Sequence, residues 1–438
     1  MMKKWGALLL AMMMLMMCFG CQNEIDPSLG GSTESVPATG KQTEPGDPTR
    51  PATQPATQPA TQPTVQPTEP EPTETIPAEI PIVYPCDRYD LDAYMLPYWD
   101  GYVMYQESAM VLENEDGTIP DIPLLYHAVE IVSVRSSDLQ TLYEEGRDYT
   151  LVDGKLHIPE GSTIRSIEYT TYYPPEKTAT SFPRNYEYGT GFIYFSEGLM
   201  LHSMQIAVTY KHHDRFQGEI PAYKGDQLPK TLEKLQNGEP LKIVLYGDSI
   251  STGVNSSGVL WSQPMAPAWY QMFMDKTKQV YPTANISFVN TAVGGMASNW
   301  GAENAGTRAA DHMPDLCIIA FGMNDGTARF SPATFRKNIQ TIMDTVTAKN
   351  PNCEFILIAT MLPNAEVSNF MGCQKEYLPE LEKMEKMGVV VADMTTFHEA
   401  LLAQKRYCDM TGNNVNHPND FLARAYAQVL FRTVVGQS

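Results

Sequence analysis

Basic residues are scarce. The 438-residue chain has 31 Lys and Arg against 51 Asp and Glu, a formal charge of −20 at pH 7. That balance excludes a surface built to hold nucleic acid or anionic lipid, because both need clustered Lys and Arg. Cysteine is few in number and lacks useful spacing. Past residue 21, Cys86, Cys317, Cys353, Cys373 and Cys408 are odd in number and form no CxxC or zinc-ligand pattern. Neither a disulfide framework nor a metal site is expected from them. Cys317, inside an apolar run, reads as a small buried hydrophobe. No metal motif or phosphate loop occurs, so no cofactor is implied. After residue 19 no apolar run reaches the ~20 residues that a membrane-spanning helix needs. Apolar residues make up 43% of the chain, enough for at least one sizeable core.

The two ends of the first 85 residues differ sharply. Lys3 and Lys4 precede the apolar run Trp5 to Phe19, the pattern of an export signal. The run ends in Cys18-Phe19-Gly20-Cys21, which resembles a bacterial lipobox: a small residue, then a cysteine that is lipidated and becomes the mature N-terminus. Cys21 fits that role better than Cys18, which follows the bulky Met17. The chain is therefore expected to be exported and held at the cell surface by lipidated Cys21, touching membrane through that anchor alone. The Pro-Ala-Thr-Gln unit at Pro51 then repeats at Pro55 and Pro59, with degenerate copies to about Thr75. A four-residue proline period supports neither helix nor sheet, because every fourth residue lacks an N–H. It reads as a stiff spacer, reaching on the order of 150 Å at ~3.1 Å per residue.

Two further regions follow. From about Tyr84 to Tyr223 the apolar period is two. Ile167, Tyr169, Thr171 and Tyr173 alternate with polar partners, as do Met204, Ile206, Val208 and Tyr210. Asp153-Gly154 lies between two short apolar runs, a type I′ hairpin signal. These features predict a small antiparallel β-sandwich. From about Leu241 strands alternate with helices: strands over 241–246, 286–290, 316–321, 355–360 and 389–392, and helices over 266–278, 302–312, 332–348, 374–387 and 418–435. Such alternation predicts a parallel sheet covered on both faces. The expected organisation is a signal peptide over 1–20, a linker over 21–82, a β-sandwich over 83–235 and an α/β domain over 236–438.

In a parallel sheet, chemistry collects at the carboxyl ends of the strands. Ser249 follows the first strand at a Gly-Asp turn, Gly294-Gly295 follows the second, and Asn324-Asp325 the third. Acyl transfer needs a nucleophile, a base and N–H donors for the developing oxyanion. Ser249 can supply the first, and His417, before the last helix, the second. Gly295 through its backbone and Asn324 through its amide can supply donors. Asp248 and Asp325 read as turn-fixing residues, and His312 and His398 as surface or helix residues. Trp261 and Trp300 are candidates for the cleft wall.

Four blocks in this order resemble the GDSL/SGNH hydrolase superfamily: Tyr246-Gly247-Asp248-Ser249-Ile250, Asn290 to Gly295, Gly322-Met323-Asn324-Asp325, and His417-Pro418. The resemblance implies a three-layer fold with a five-stranded parallel sheet. It implies Ser249 as nucleophile and His417 as base, with an oxyanion hole from the N–H groups of Ser249 and Gly295 and the Asn324 amide. A β-sandwich ahead of such a domain also resembles the layout of some carbohydrate acetylesterases, which implies an acylated carbohydrate as substrate. The family's aspartate three residues before the histidine is Asn414 here. An amide oxygen can accept the imidazole Nδ1–H but brings no charge, and in serine proteases the Asp-to-Asn change costs ~10⁴ in kcat. Asp409, another carboxylate or a backbone carbonyl is left to take that place. The sequence thus predicts an extracellular esterase for small acyl groups, foremost acetyl, on polysaccharide. The alternatives are a lipid or thioester hydrolase on the same machinery, or a degenerate surface binding protein. The natural ester and the oligomeric state stay open.

Overall fold

The computed structural model describes residues 84–436. Cys21 and the proline-rich spacer lie outside the described residues. Twelve described strands form four sheets. Five of them make the parallel sheet: β8 (Pro240–Gly247), β9 (Asn285–Asn290), β10 (Leu316–Ala320), β11 (Glu354–Ala359) and β12 (Val389–Asp393), in the spatial order β12-β11-β10-β8-β9. Side chains along β8, β10, β11 and β12 alternate between two apolar layers, as the two-residue strand period requires. Ile243, Leu245, Ile318, Ile356 and Val390 face one core. Tyr246, Cys317, Ile319, Leu357 and Val391 face the other. The near-continuous apolar sequences of β8, β10, β11 and β12 follow from this two-sided burial.

Among the described residues, six helices of eight or more residues accompany the sheet. They are α1 (Pro229–Asn237), α2 (Trp269–Val280), α3 (Ser298–Arg308), α4 (Pro332–Lys349), α5 (Met394–Leu402) and α6 (Asp420–Val434). Helices α2 and α6 pack together on the first face, and α3 and α4 on the second. The three-layer arrangement and the five parallel strands agree with the expected fold. Two helices, α1 and α5, were not foreseen. The expected helix over 374–387 is instead a 3₁₀ turn at Gln374–Tyr377 and a short helix at Leu378–Glu382.

Antiparallel sheets occupy the N-terminal part, as expected. β1 (Val103–Met110), β7 (Gln205–His212) and β2 (Ala128–Ser136) form a three-stranded sheet with β7 in the centre. Two ribbons join β3 (Thr150–Val152) to β4 (Lys155–His157) and β5 (Ser181–Pro183) to β6 (Phe192–Tyr194). The β3–β4 turn is the anticipated Asp153-Gly154, both residues at positive φ (46° and 67°), as a type I′ turn demands. One strand expectation fails. Tyr169–Tyr172 is a helical turn, not a strand. Tyr172 and Ile167 point into one small core, and Pro174-Pro175 ends the segment before any strand partner could be reached.

The antiparallel sheet shares its core with the α/β part. Ala109, Val134, Ile206, Val208 and Tyr210 belong to the same apolar cluster as Phe421, Ala425 and Leu430 of α6. Tyr98 stacks on Phe421 with ring centroids 4.5 Å apart and donates to its carbonyl at 2.6 Å. Buried Arg424 donates to the Tyr98 hydroxyl at 2.6 Å. Buried Lys405 pairs with buried Glu107 of β1. The described residues 84–436 accordingly fall in one compact unit.

Candidate active site

Ser249 stands two residues past the end of β8. The strand must stop tightly there: a side chain on Gly247 would lie 2.4 Å from the Ala320 carbonyl oxygen and 2.5 Å from Ser251 Oγ. Asp248 fixes the turn, accepting the Ile250 N–H at 3.0 Å. Its carboxyl is buried, and burial pushes its pKa up to about 7. This is the turn-fixing role its position suggested.

The loop after β9 passes over the serine. Val293 N–H donates to the Gly247 carbonyl, and a Cβ on Gly294 would sit 3.6 Å from Ser249 Cβ. Gly295 has φ of +78° with open space where a Cβ would be. Backbone conformation, not crowding, therefore selects glycine here. The loop is clamped by Asp325, which accepts the Ser298 N–H at 3.0 Å and also its hydroxyl. Burial raises the Asp325 pKa, against the pull of those hydrogen bonds. Asn324 Nδ2 donates to the Met296 carbonyl at 3.1 Å, which uses one amide hydrogen and leaves the second. Gly295 and Asn324 are thus tied to one loop, at the ends of the two strands that flank β8.

His417 is brought in by the segment before α6. Asn413 Oδ1 accepts the N–H groups of Val415, Asn416 and His417, each at 3.0 Å. Asn419 then caps α6 through the Leu422 N–H. This frame sets His417 Nε2 2.9 Å from Ser249 Oγ. The two residues 168 positions apart in sequence meet as expected.

The other imidazole nitrogen holds the main surprise. Nδ1 lies 2.9 Å from Asn255 Oδ1 and 3.2–3.3 Å from both carboxylate oxygens of Glu197. The Asn255 orientation is set independently, because its Nδ2 donates to the Gly412 carbonyl at 3.2 Å. Nδ1 therefore carries the proton, and Nε2 is the acceptor for the serine hydroxyl. Glu197 lies between β6 and β7, in the antiparallel part, and also accepts from Asn413 Nδ2 at 3.0 Å. Burial acts to raise its pKa, but the His417 charge and the hydrogen bonds from His417, Asn413 and Asn255 outweigh it and hold the carboxyl below its usual range.

Neither residue named for that place from the sequence is there. Asn414 turns away, accepting from the Tyr172 hydroxyl at 2.6 Å and donating to the Tyr194 carbonyl at 2.8 Å. Asp409 is spent on Arg406 at 2.8 Å and the Met110 N–H at 2.7 Å. His398 lies on α5 but is fully buried, accepting the Leu362 N–H at 3.0 Å. Trp300 packs against Tyr246, whereas Trp261 is 86% exposed. Among the described residues no group of three His, Cys, Asp or Glu side chains is placed to hold a metal.

Residues 245–425 match the family model described as the GDSL-like Lipase/Acylhydrolase family. Curated relatives include an arylesterase of Vibrio mimicus, 19% identical over 34% of this chain and 69% of its own length. Another is the thioesterase 1/protease 1/lysophospholipase L1 of Escherichia coli K12, 26% identical over 28% of this chain and 51% of its own length. The chain thus spans about half of that second relative. Similar solved structures include a two-domain esterase active on acetylated mannans, 20% identical over 49% of this chain and 54% of that one, with a TM-score of 0.39. An acetylxylan esterase from Geobacillus stearothermophilus is 15% identical over 44% of this chain and 93% of that one, with a TM-score of 0.37. Residues 245–425 thus match the GDSL-like Lipase/Acylhydrolase family, and the strand-end serine and the parallel strands β9, β10, β11 and β12 lie within that matched stretch.

Proposed function

We propose that this chain is an extracellular serine esterase that removes small acyl groups, foremost acetyl, from polysaccharide. The observation that carries the reading is the 2.9 Å contact between His417 Nε2 and Ser249 Oγ, with the proton placed on Nδ1. In the reaction, Ser249 Oγ attacks the ester carbonyl carbon while His417 Nε2 takes the hydroxyl proton. The carbonyl oxygen becomes an oxyanion, received by the N–H groups of Ser249 and Gly295 and the second amide hydrogen of Asn324. Collapse breaks the bond to the sugar oxygen, which leaves with the proton from His417. Water, deprotonated by the same nitrogen, then hydrolyses the acyl-serine and restores both residues.

Location and substrate rest on the sequence. The signal, the Cys21 motif and the spacer suit an enzyme set among extracellular polymers. A second reading, a lipid or thioester hydrolase, is favoured by the name of the 26% identical relative. The reading as a degenerate binding protein drew on Asn414, and the carboxylate of Glu197 beside His417 takes that support away.

The test is kcat/KM for acetyl, butyryl and octanoyl esters of one alcohol, with acetate release from acetylated xylan, mannan and pectin alongside. A pocket that accommodates the chain gains ~0.8 kcal/mol per methylene, about fourfold each. An acetylesterase loses rate as the chain lengthens and releases acetate from at least one polymer. Octanoyl outrunning acetyl moves the assignment to the lipid reading, and no turnover of any ester moves it to the binding protein.

A further inference from the structure

Asn255 and Glu197 approach the same imidazole N–H, and their chemistry differs. Asn255 Oδ1 is the nearer acceptor, at 2.9 Å, and it is neutral. Glu197 is 3.2–3.3 Å away and charged. They also come from different parts of the fold. Asn255 follows the nucleophile by six residues, whereas Glu197 lies 220 residues before His417, between β6 and β7. Asn255 sits at φ +67°, a conformation that asparagine adopts more readily than most residues. Asn413 connects the two halves: its Oδ1 holds the His417 backbone, and its Nδ2 holds Glu197.

We propose that the work done in this superfamily by one aspartate is divided here between two positioning residues, Asn255 fixing the imidazole tautomer and Glu197, supplied by the antiparallel part, stabilising the imidazolium. The inference rests on Ser249 and His417 acting as nucleophile and base. It has a structural corollary. The antiparallel sheets complete the active site rather than append a module to it, so an α/β segment without them lacks the charge that its histidine needs.

The division makes the two residues separable by experiment. When an orienting aspartate becomes asparagine in serine proteases, kcat falls ~10⁴-fold because the tautomer is lost. Here Glu197→Gln leaves Asn255 in place, so only the electrostatic part is lost. For a partly exposed carboxylate that part is roughly tenfold to a hundredfold in kcat. Because the effect falls on the transition state, KM stays unchanged. Asp248 is the other carboxyl that acts on His417 through space, and it is untouched by this substitution. Asn255→Ala removes the nearer acceptor and leaves the more distant carboxylate to hold the imidazole, so it too should lower kcat.

The experiment measures kcat, KM and the pH–rate profile on an aryl acetate for the full mature chain. The proteins compared are the parent, Ser249→Ala, Glu197→Gln, Asn255→Ala and the pair Asn255→Asp with Glu197→Gln. The pair moves the charge to the nearer position and should recover at least tenfold of the Glu197→Gln loss, which a role in folding alone would not produce. A kcat in Glu197→Gln equal to the parent overturns the division while leaving the Ser249 reading intact. A parent with no esterase activity, or a fully active Ser249→Ala, overturns both.

Discussion

The buried ion pair between Lys405 and Glu107 joins the loop after α5 to strand β1, and its loss has a calculable cost. Both side chains are fully enclosed. Lys405 Nζ donates to Glu107 Oε1 at 2.5 Å and to the Ser108 carbonyl at 3.0 Å. Glu107 also accepts the Leu125 N–H at 2.8 Å and the Tyr210 hydroxyl at 2.6 Å. Lys405→Met keeps much of the volume and the apolar stem but leaves a carboxylate in the core with no counter-charge. Breaking one side of a buried pair costs about 3–5 kcal/mol. Unfolding entropy of about 2.1 cal/mol/K per residue over roughly 350 residues is ~0.74 kcal/mol/K, so Tm should fall by ~4–7 °C. Calorimetry and urea unfolding of Lys405→Met, Glu107→Gln and the double variant supply the readout. The double variant should lose less than the sum of the singles, by at least ~1 kcal/mol. Because the pair bridges two regions of a shared core, the variants should still unfold in one transition. A loss under ~1 kcal/mol in Lys405→Met would falsify the assignment of this pair as a buried clamp. Two separate transitions in the parent would contradict the shared core.

Two further outcomes are expected. Asp248 holds its proton to about pH 7 in the folded chain, against about 3.9 when unfolded. The folded state thus binds more protons between those values, so this group's contribution to stability falls as pH rises from about 4 to 7. Asp248→Asn should therefore gain on the parent across that window, by on the order of 4 kcal/mol at full expression, and a parent-to-variant difference that is flat with pH refutes the shift. Separately, Cys21→Ser should release the protein from membrane fractions of the cells that express it, and a mature N-terminus mapped elsewhere, without lipid, removes the anchor.

Much of the α/β part was legible because its signals are local. Four of the five strands carry an apolar run, and Ser249, Gly295 and Asn324 lie in the loops or turns after three of the five strands. His417 was findable from its place before α6. Glu197 was not. It sits between Ser196 and Gly198 with no motif around it, and its relation to His417 exists only once β6 and β7 are folded against the hydrolase. Asn255 was also silent, six residues past the serine in a loop whose path periodicity does not encode. Asn414 was one of the alternatives left open for that place: its spacing from His417 matched the family's acid, but Tyr172 and Tyr194 hold its side chain elsewhere. Tyr169–Tyr172 misled for a related reason, since alternating Tyr and Thr over four residues fits a strand as well as a buried turn.

The central claim is that Ser249 is the nucleophile and that His417 activates it. A serine-directed fluorophosphonate probe, followed by peptide mapping, tests this without any assumption about the natural ester. The account predicts one modified residue, Ser249, with labelling lost in Ser249→Ala and slowed at least a hundredfold in His417→Ala, whose base is gone. Labelling at another serine, or an undiminished rate in His417→Ala, would contradict it.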